Sequence, residues 1–246
     1  MKKLFSITLL FSLVFMTTQA QFHLFLEEQQ TDYDGAKLSG WAFPVSIGSD
    51  QVLDDFKDFV KQHSDAKARK DGSNTMVAEK ASIPALTTKR GDMIAHDYTS
   101  GSHETVILVF RMGYDICLDS QDWNPEMQNF RTWAKSFMAY HYQQSYTRRI
   151  EAVEKELKAA QKENKQNDNK ISSLDKKEAN LNKRMRKESD QGKIDERKAD
   201  ISTAVADRDR LIANQPGLDN RISTLRERII KLTEESNEYQ AAIAKL

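Results

Sequence analysis

Leu218-Asp219-Asn220-Arg221-Ile222-Ser223-Thr224-Leu225-Arg226-Glu227-Arg228-Ile229-Ile230-Lys231-Leu232 decides the architecture of this chain. Leu218, Ile222, Leu225, Ile229 and Leu232 recur at alternating spacings of four and three with charged residues between them, which is the a/d seam of a heptad repeat. The same register extends back through Ile194, Arg197, Ile201, Ala204, Arg208, Leu211 and Gln215, and forward through Ser236, Tyr239, Ile243 and Leu246. A second register precedes it: Ile150, Val153, Leu157, Ala160, Asn164, Asn167, Ile171, Leu174, Glu178, Leu181 and Met185.

Ser189-Asp190-Gln191-Gly192-Lys193 separates the two registers, and a polar cluster with a glycine suits a helix-to-helix reversal. A turn near Gln191 pairs a with d across the seam, setting Ile150 against Leu232, Leu157 against Leu225, Ala160 against Ile222, Ile171 against Leu211 and Leu181 against Ile201. Residues 147–246 therefore read as a C-terminal coiled-coil hairpin with its turn at 189–193. The same pairing sets Asn167 opposite Gln215, close to Asn164 and Asn169 and next to Pro216-Gly217. A proline inside a helix removes a backbone hydrogen bond at a cost of about 3 kcal/mol, so a kink or break is expected at 214–218. The competing architecture is three shorter helices ending near Ser189, near Asn214 and at the C-terminus. Lys183-Arg184-Met185-Arg186-Lys187 is the one local basic run, near the tip, and is suited to an acidic partner; with Glu188 and Asp190 adjacent it reads first as a solvated helix face.

At the other end of the chain, Met1-Lys2-Lys3 is followed by the apolar run Leu4 to Met16 and by Thr18-Gln19-Ala20, a basic n-region, short h-region and small-residue cleavage site. Residues 1–20 read as a secretory signal peptide, because the apolar run falls short of the ~20 residues a bilayer core requires. The expected mature chain begins at Gln21, carries no cysteine at its start for lipid attachment, and goes to the periplasm, the outer-membrane periphery or the medium. No transmembrane segment is expected after cleavage. Cys117 is the only cysteine, so no intrachain disulfide is available; it reads as a strand residue facing a core.

Lysine plus arginine number 37 and aspartate plus glutamate number 37, so the net charge is zero with 30% of the chain charged. That balance argues against nucleic-acid binding, which shows a net basic face. Residues 21–146 read as a small α+β head of mixed or antiparallel sheet with packed helices. Strands are expected at Phe22 to Leu26, Gly40 to Ile47, Lys67 to Lys70, Thr75 to Glu79, Met93 to Tyr98, Glu104 to Met112 and Ile116 to Leu118. Glu104 to Met112 is the most apolar of these and the expected central strand. Ser49 or Asp50 is placed to cap a helix carrying Val52, Leu53, Phe56, Phe59 and Val60 on one face. Pro125 opens a last helix whose Phe130, Trp133, Ala134, Phe137, Met138 and His141 share a face toward the sheet. That helix is expected to continue into the stalk, with Leu246 returning near Ser136.

The order of these elements, with Lys67-Ala68-Arg69-Lys70, Ala81-Ser82-Ile83-Pro84, the Glu104 to Met112 strand with Gly113-Tyr114, and an immediate coiled coil, resembles a family of uncharacterised exported proteins of Gram-negative bacteria. The resemblance implies a small α+β head, a long C-terminal coiled coil and an exported location; it transfers no activity and no functional residue.

Constellations for chemistry are sparse. His23, His63, His96, His103 and His141 form no zinc-protease pair and no cysteine-histidine metal spacing. His96-Asp97 and His103-Glu104 flank one β-hairpin, the single place where a divalent metal is conceivable. There is no phosphate-binding glycine loop and no nucleophile elbow, and the neighbours of Cys117 are aliphatic. Trp123, Phe130, Trp133, Phe137, Tyr140 and Tyr142 are candidates for a ligand groove, although their helical spacing favours packing. No catalytic, cofactor-binding or metal-binding residue is assigned. The sequence thus points to a non-enzymatic exported scaffold whose stalk contacts protein partners, including further copies of itself. The alternatives are a holdase-type periplasmic chaperone and a small-ligand or metal-binding head on a helical spacer.

Overall fold

The computed structural model describes residues 24–100, 103–113 and 116–246. The signal peptide expected at 1–20 lies outside them, as do Phe22 and His23 of the expected Phe22 to Leu26 strand. The head is a six-stranded antiparallel sheet of order β1-β2-β6-β5-β4-β3, built from β1 (Glu27–Tyr33), β2 (Ala36–Pro44), β3 (Arg69–Lys70), β4 (Thr75–Ser82), β5 (Arg90–Ser100) and β6 (His103–Arg111). Helix α1 (Val52–His63) follows β2, α2 (Asn124–Met185) follows the sheet, and α3 (Gln191–Lys245) packs against α2. The protein is α+β.

The sheet is buried on both faces. One alternate set, including Trp41, Phe43, Met76, Met93, Val106, Leu108 and Phe110, joins the large core beneath α1 and α2. The other set, Leu38, Ala42, Val77, Ile94, Ile107 and Val109, forms a separate cluster, so β6 is apolar along both faces, as a central strand must be. Two side-chain bonds show how that second face is covered. Tyr98 on β5 donates to Gln29 Oε1 on β1 at 2.7 Å, and Tyr33 at the end of β1 donates to Asp71 beyond β3. A flat sheet would hold β1 and β3 five strand spacings apart, roughly 24 Å. The sheet therefore curls until its two edges are bridged.

Several local expectations give way. β1 is the polar run Glu27–Tyr33, and Leu24 to Leu26, the described part of the expected apolar strand, precede it without forming one; an edge strand half open to water carries polar residues on both sides. It turns into β2 at Asp34-Gly35, with φ of 54° and 75°, the left-handed pair a tight hairpin needs. Gly40 is forced by contact, since a Cβ there would lie 2.0 Å from the Leu108 carbonyl oxygen. The α1 start is made by a 3-10 turn at Ser49–Gln51 with no side-chain cap, so neither Ser49 nor Asp50 caps it. Residues 116–118 supply only an isolated bridge, Arg111 to Cys117, and Cys117 is half-buried against the second-face cluster.

α2 is one helix of 62 residues with Pro125 in its first turn. Its early part buries Met127, Phe130, Trp133, Ala134, Phe137 and Met138 in the head. The reversal occupies 186–190, and Gly192 lies inside α3, not in the turn. The chain is redirected by Asp190, whose side chain accepts from the N–H groups of Gly192 and Lys193 at 2.9 and 3.3 Å and caps α3. α3 runs unbroken across Pro216, so the helix end expected near Asn214, and with it the three-helix alternative, does not occur. Packing on both sides explains the continuity: Gln215 donates to Asn164 and Asp168 on α2, and Leu218, Ile222 and Leu225 are buried just beyond. Leu246 returns beside Arg131, which donates to its carbonyl at 2.6 Å, slightly deeper toward the head than Ser136. Among the described residues no helix is long and apolar enough to cross a membrane.

Since α3 tolerates Pro216 only by tertiary packing, Pro216→Ala restores an N–H to the Ile212 carbonyl and is expected to add up to about 3 kcal/mol of stability and to raise helicity. Chemical denaturation followed by far-UV circular dichroism measures both, and an unchanged midpoint would show that the helix carries no penalty at this position.

Candidate functional site

Every position of the two heptad registers, from Ile150 to Met185 and from Ile194 to Leu246, is buried or half-buried, while most residues between them are exposed. Facing side chains confirm which levels meet. Arg208 on α3 donates to Glu178 on α2 at 2.7 Å and to Asp175 at 3.3 Å, Asn164 donates to Asp219 at 3.2 Å, and Gln240 donates to the Ala139 carbonyl at 2.8 Å. Gln215, expected opposite Asn167, bonds its neighbours Asn164 and Asp168 instead.

Where the pair meets the head, two clusters fix it. Asp55 on α1 is 4% exposed and receives a two-pronged bond from the Arg148 guanidinium at 2.7 and 2.8 Å. His141 Nδ1 lies 2.7 Å from the same carboxylate and Nε2 lies 3.0 Å from the Ile47 carbonyl oxygen. Both ring nitrogens thus lie within hydrogen-bond distance of an oxygen, one on the carboxylate and one on the backbone. Burial pushes the Asp55 carboxyl up, but hydrogen bonds from Arg148 and His141 outweigh it and hold the pKa below its ordinary value. Gly48, at φ 70°, leaves room here, since a Cβ on it would sit 2.5 Å from Ser145 Oγ.

The second cluster holds the end of α3. Tyr239 stacks on Tyr142 with ring centroids 4.7 Å apart, and Ser46 Oγ lies 3.1 Å from both hydroxyls. Tyr142 donates to the Pro44 carbonyl at 2.9 Å. Burial pushes the Tyr142 phenol upward, so it remains a neutral donor.

The residues singled out in the sequence are dispersed. Aspartate, histidine and serine do meet at Asp55, His141 and Ser145, yet His141 Nε2 is taken by a backbone carbonyl and Ser145 Oγ lies 3.5 Å from that same carbonyl. Nothing in that set activates a nucleophile. His96 bonds Thr75 and stacks on Tyr98, whereas Asp97 falls on the opposite strand face, where burial and the Glu104 charge raise its carboxyl. Strand alternation splits the conceivable metal set, and among the described residues no group of three metal-ligating side chains assembles. His63 stacks on Phe59, and His23 lies outside the described residues. Phe130, Trp133, Phe137 and Tyr142 are core; Trp123 and Tyr140 are half-buried against it, so no aromatic groove exists there. At the tip, Lys183, Arg184, Arg186 and Lys187 are exposed; the nearby ion pairs are Arg197 to Glu188 and Lys198 to Asp195. Asp55 and Arg148 were the missed residues. The available signal was a carboxylate on the apolar stripe of α1 and an arginine one heptad after His141.

No protein-family model, curated protein or solved structure matches the chain.

Because the carboxyl is depressed in the folded state, its contribution to stability is fully present above the unfolded value of about 4 and is lost as pH falls through the lower folded value. Asp55→Asn is expected to cost about 3 kcal/mol at neutral pH by leaving the Arg148 guanidinium without its counter-charge. In denaturation measured from pH 7 downward, the gap between wild type and variant should close below about pH 4. A gap independent of pH would remove the charge from the account.

Proposed function

We propose that the chain is an exported envelope protein without catalytic activity, in which α2 and α3 form an antiparallel coiled-coil hairpin that a small head holds out toward a protein partner. The observation that carries this reading is the coincidence between the heptad registers and the burial pattern along both helices. A sustained a/d seam buried between two helices is the pattern of a coiled coil. The anchoring supports a spacer role: Asp55, Arg148 and His141 tie α2 to α1, and Tyr142, Ser46 and Tyr239 tie α3 to the head, so the pair leaves the head as a fixed extension. From Thr147 to Met185, at about 1.5 Å per residue, the extension measures roughly 60 Å. The sequence features at 1–20 support export to the periplasm or the outer-membrane periphery.

The holdase alternative uses helical arms to enclose unfolded clients and draws on basic charge and oligomeric cavities. This chain is charge-balanced, and its apolar seam is occupied within one chain, which favours the scaffold.

Two measurements test the reading. Cysteines introduced as Leu157→Cys and Leu225→Cys are expected to crosslink within one chain under oxidation; adducts only between chains would sink the hairpin. Light scattering coupled to size exclusion is expected to give an elongated particle that leaves aggregation of an unfolded client unchanged. Suppressed aggregation would move the assignment to the chaperone.

A further inference from the structure

An open cleft of about 640 Å³ lies at the head, at the start of β5 and the end of β6, lined in part by Asp34, Lys80, Gly91, Asp92, Arg111 and Gly113. It is separate from both junction clusters. Its volume falls in the range of small-molecule sites.

Its charges are arranged, not scattered. Arg111 closes β6 with its side chain 19% exposed and donates to Asp92 at 3.0 Å. The other Asp92 oxygen accepts the Lys80 backbone N–H at 2.9 Å, so both oxygens of this carboxylate are occupied in shaping the site. Lys80 sits in the register shift between Ala78 and Ala81 at φ 51°, a left-handed conformation that a non-glycine residue holds only when its surroundings impose it. Arg90 imposes it from the other side, donating to the Lys80 carbonyl at 2.8 Å while its second arm bonds Asp65. Glu79 and Lys80 together oppose Asp92 in this β-bulge, and the left-handed residue of the bulge is here a lysine where glycine is usual.

Lys80 is the cation left unanswered: among the described residues no carboxylate lies within ion-pair distance of its ammonium. Arg111 is paired through Nη2 with Asp92, while its Nη1 lies 4.0 Å from Asp34, whose side chain is 79% exposed. Gly91 keeps the wall bare, since a Cβ there would lie 2.6 Å from the Arg111 carbonyl oxygen. Two charged donors of different geometry, a point-like ammonium and a planar fork, line one concavity whose inner carboxylate is already used. We propose that this cleft binds a small organic oxyanion, a phosphate ester or a carboxylate, with Lys80 and Arg111 as its charged donors. The proposal is independent of the scaffold reading, which concerns the helix pair.

The test is an amide-resonance NMR titration of the whole exported chain with inorganic phosphate and, separately, with acetate, each against sodium chloride at matched ionic strength. Saturable shifts at Lys80, Gly91 and Gly113 are expected beyond the chloride control. A response to phosphate alone assigns a phosphoryl ligand, and a response to acetate alone a carboxylate. Lys80→Gly separates binding from structure: glycine suits the left-handed backbone, so the melting temperature should rise while anion affinity falls by about tenfold, the weight of one charge-assisted hydrogen bond. Arg111→Gln should weaken binding as well. Shifts no larger than with chloride, shifts confined to the basic run at Lys183 to Lys187, or unchanged affinity in Lys80→Gly would each overturn the proposal.

Discussion

A carboxylate buried to 4% exposure needs its charge met by nearby donors, and both side chains that meet Asp55, His141 and Arg148, belong to α2. They are one heptad apart, so the bond can form only if α2 is helical and correctly rotated through the whole interval. That requirement reaches further than the contact itself. With α2 fixed in rotation at Arg148, the face that carries Val153, Leu157 and Ala160 beyond the head is fixed too, and α3 must dock on that face. The stacked Tyr142 and Tyr239 rings then close the loop, since the last turns of α3 return to the residue next to His141. A charge on α1 thus sets the direction in which a long helical extension leaves the head.

The sheet solves a related problem differently. A six-stranded antiparallel sheet with helices on one side leaves its other face open to water, yet Leu38, Ile94, Ile107 and Val109 on that face are almost fully buried. Curling brings Tyr33 and Tyr98 across to Asp71 and Gln29, so aromatic side chains from the strands themselves lie over the apolar cluster. The curl also explains why Gly40 and Gly91 are needed, both at points where a backbone carbonyl comes within 2.6 Å or less of where a Cβ would be. Strong curvature demands close backbone approach, and only glycine allows it.

The helix pair was legible in the sequence because its burial is a one-dimensional pattern: each seam position can be counted from Ile150 or Leu246 without knowing the fold. The strands β4, β5 and β6 were legible for a similar reason, apolar content bounded by turn residues. β1 was not, since Glu27–Tyr33 carries no apolar alternation, and its one clear signal was the Asp34-Gly35 pair that follows. Pro216 shows the limit of local propensity. Its cost of about 3 kcal/mol is real, but the burial of Leu218, Ile222 and Leu225 after it favours continuing the helix. Asp55 and the Lys80–Asp92–Arg111 arrangement were hidden for a stronger reason, as their partners lie far away in the sequence and no spacing rule connects them.

Burial along the helix pair is uneven, and the asymmetry follows from the same seam. Near the head the seam holds Val153, Ala160, Leu218, Ile222, Leu225, Leu232, Tyr239 and Ile243, all buried; between Gln161 and Gly217, Ala204 is the one buried residue among those described in the helices. The distal half substitutes ion pairs and amides for apolar contact: Arg208 with Glu178 and Asp175, Arg197 with Glu188, Gln215 with Asn164. Partly exposed ion pairs contribute little each and weaken with salt, whereas buried aliphatic side chains contribute more and do not. Local stability is therefore graded along the extension, highest where Tyr239 and Arg148 lock it to the head and lowest toward Met185 and Gln191. Among the described residues the most adaptable part of the helix pair is therefore the end farthest from its anchor at the head.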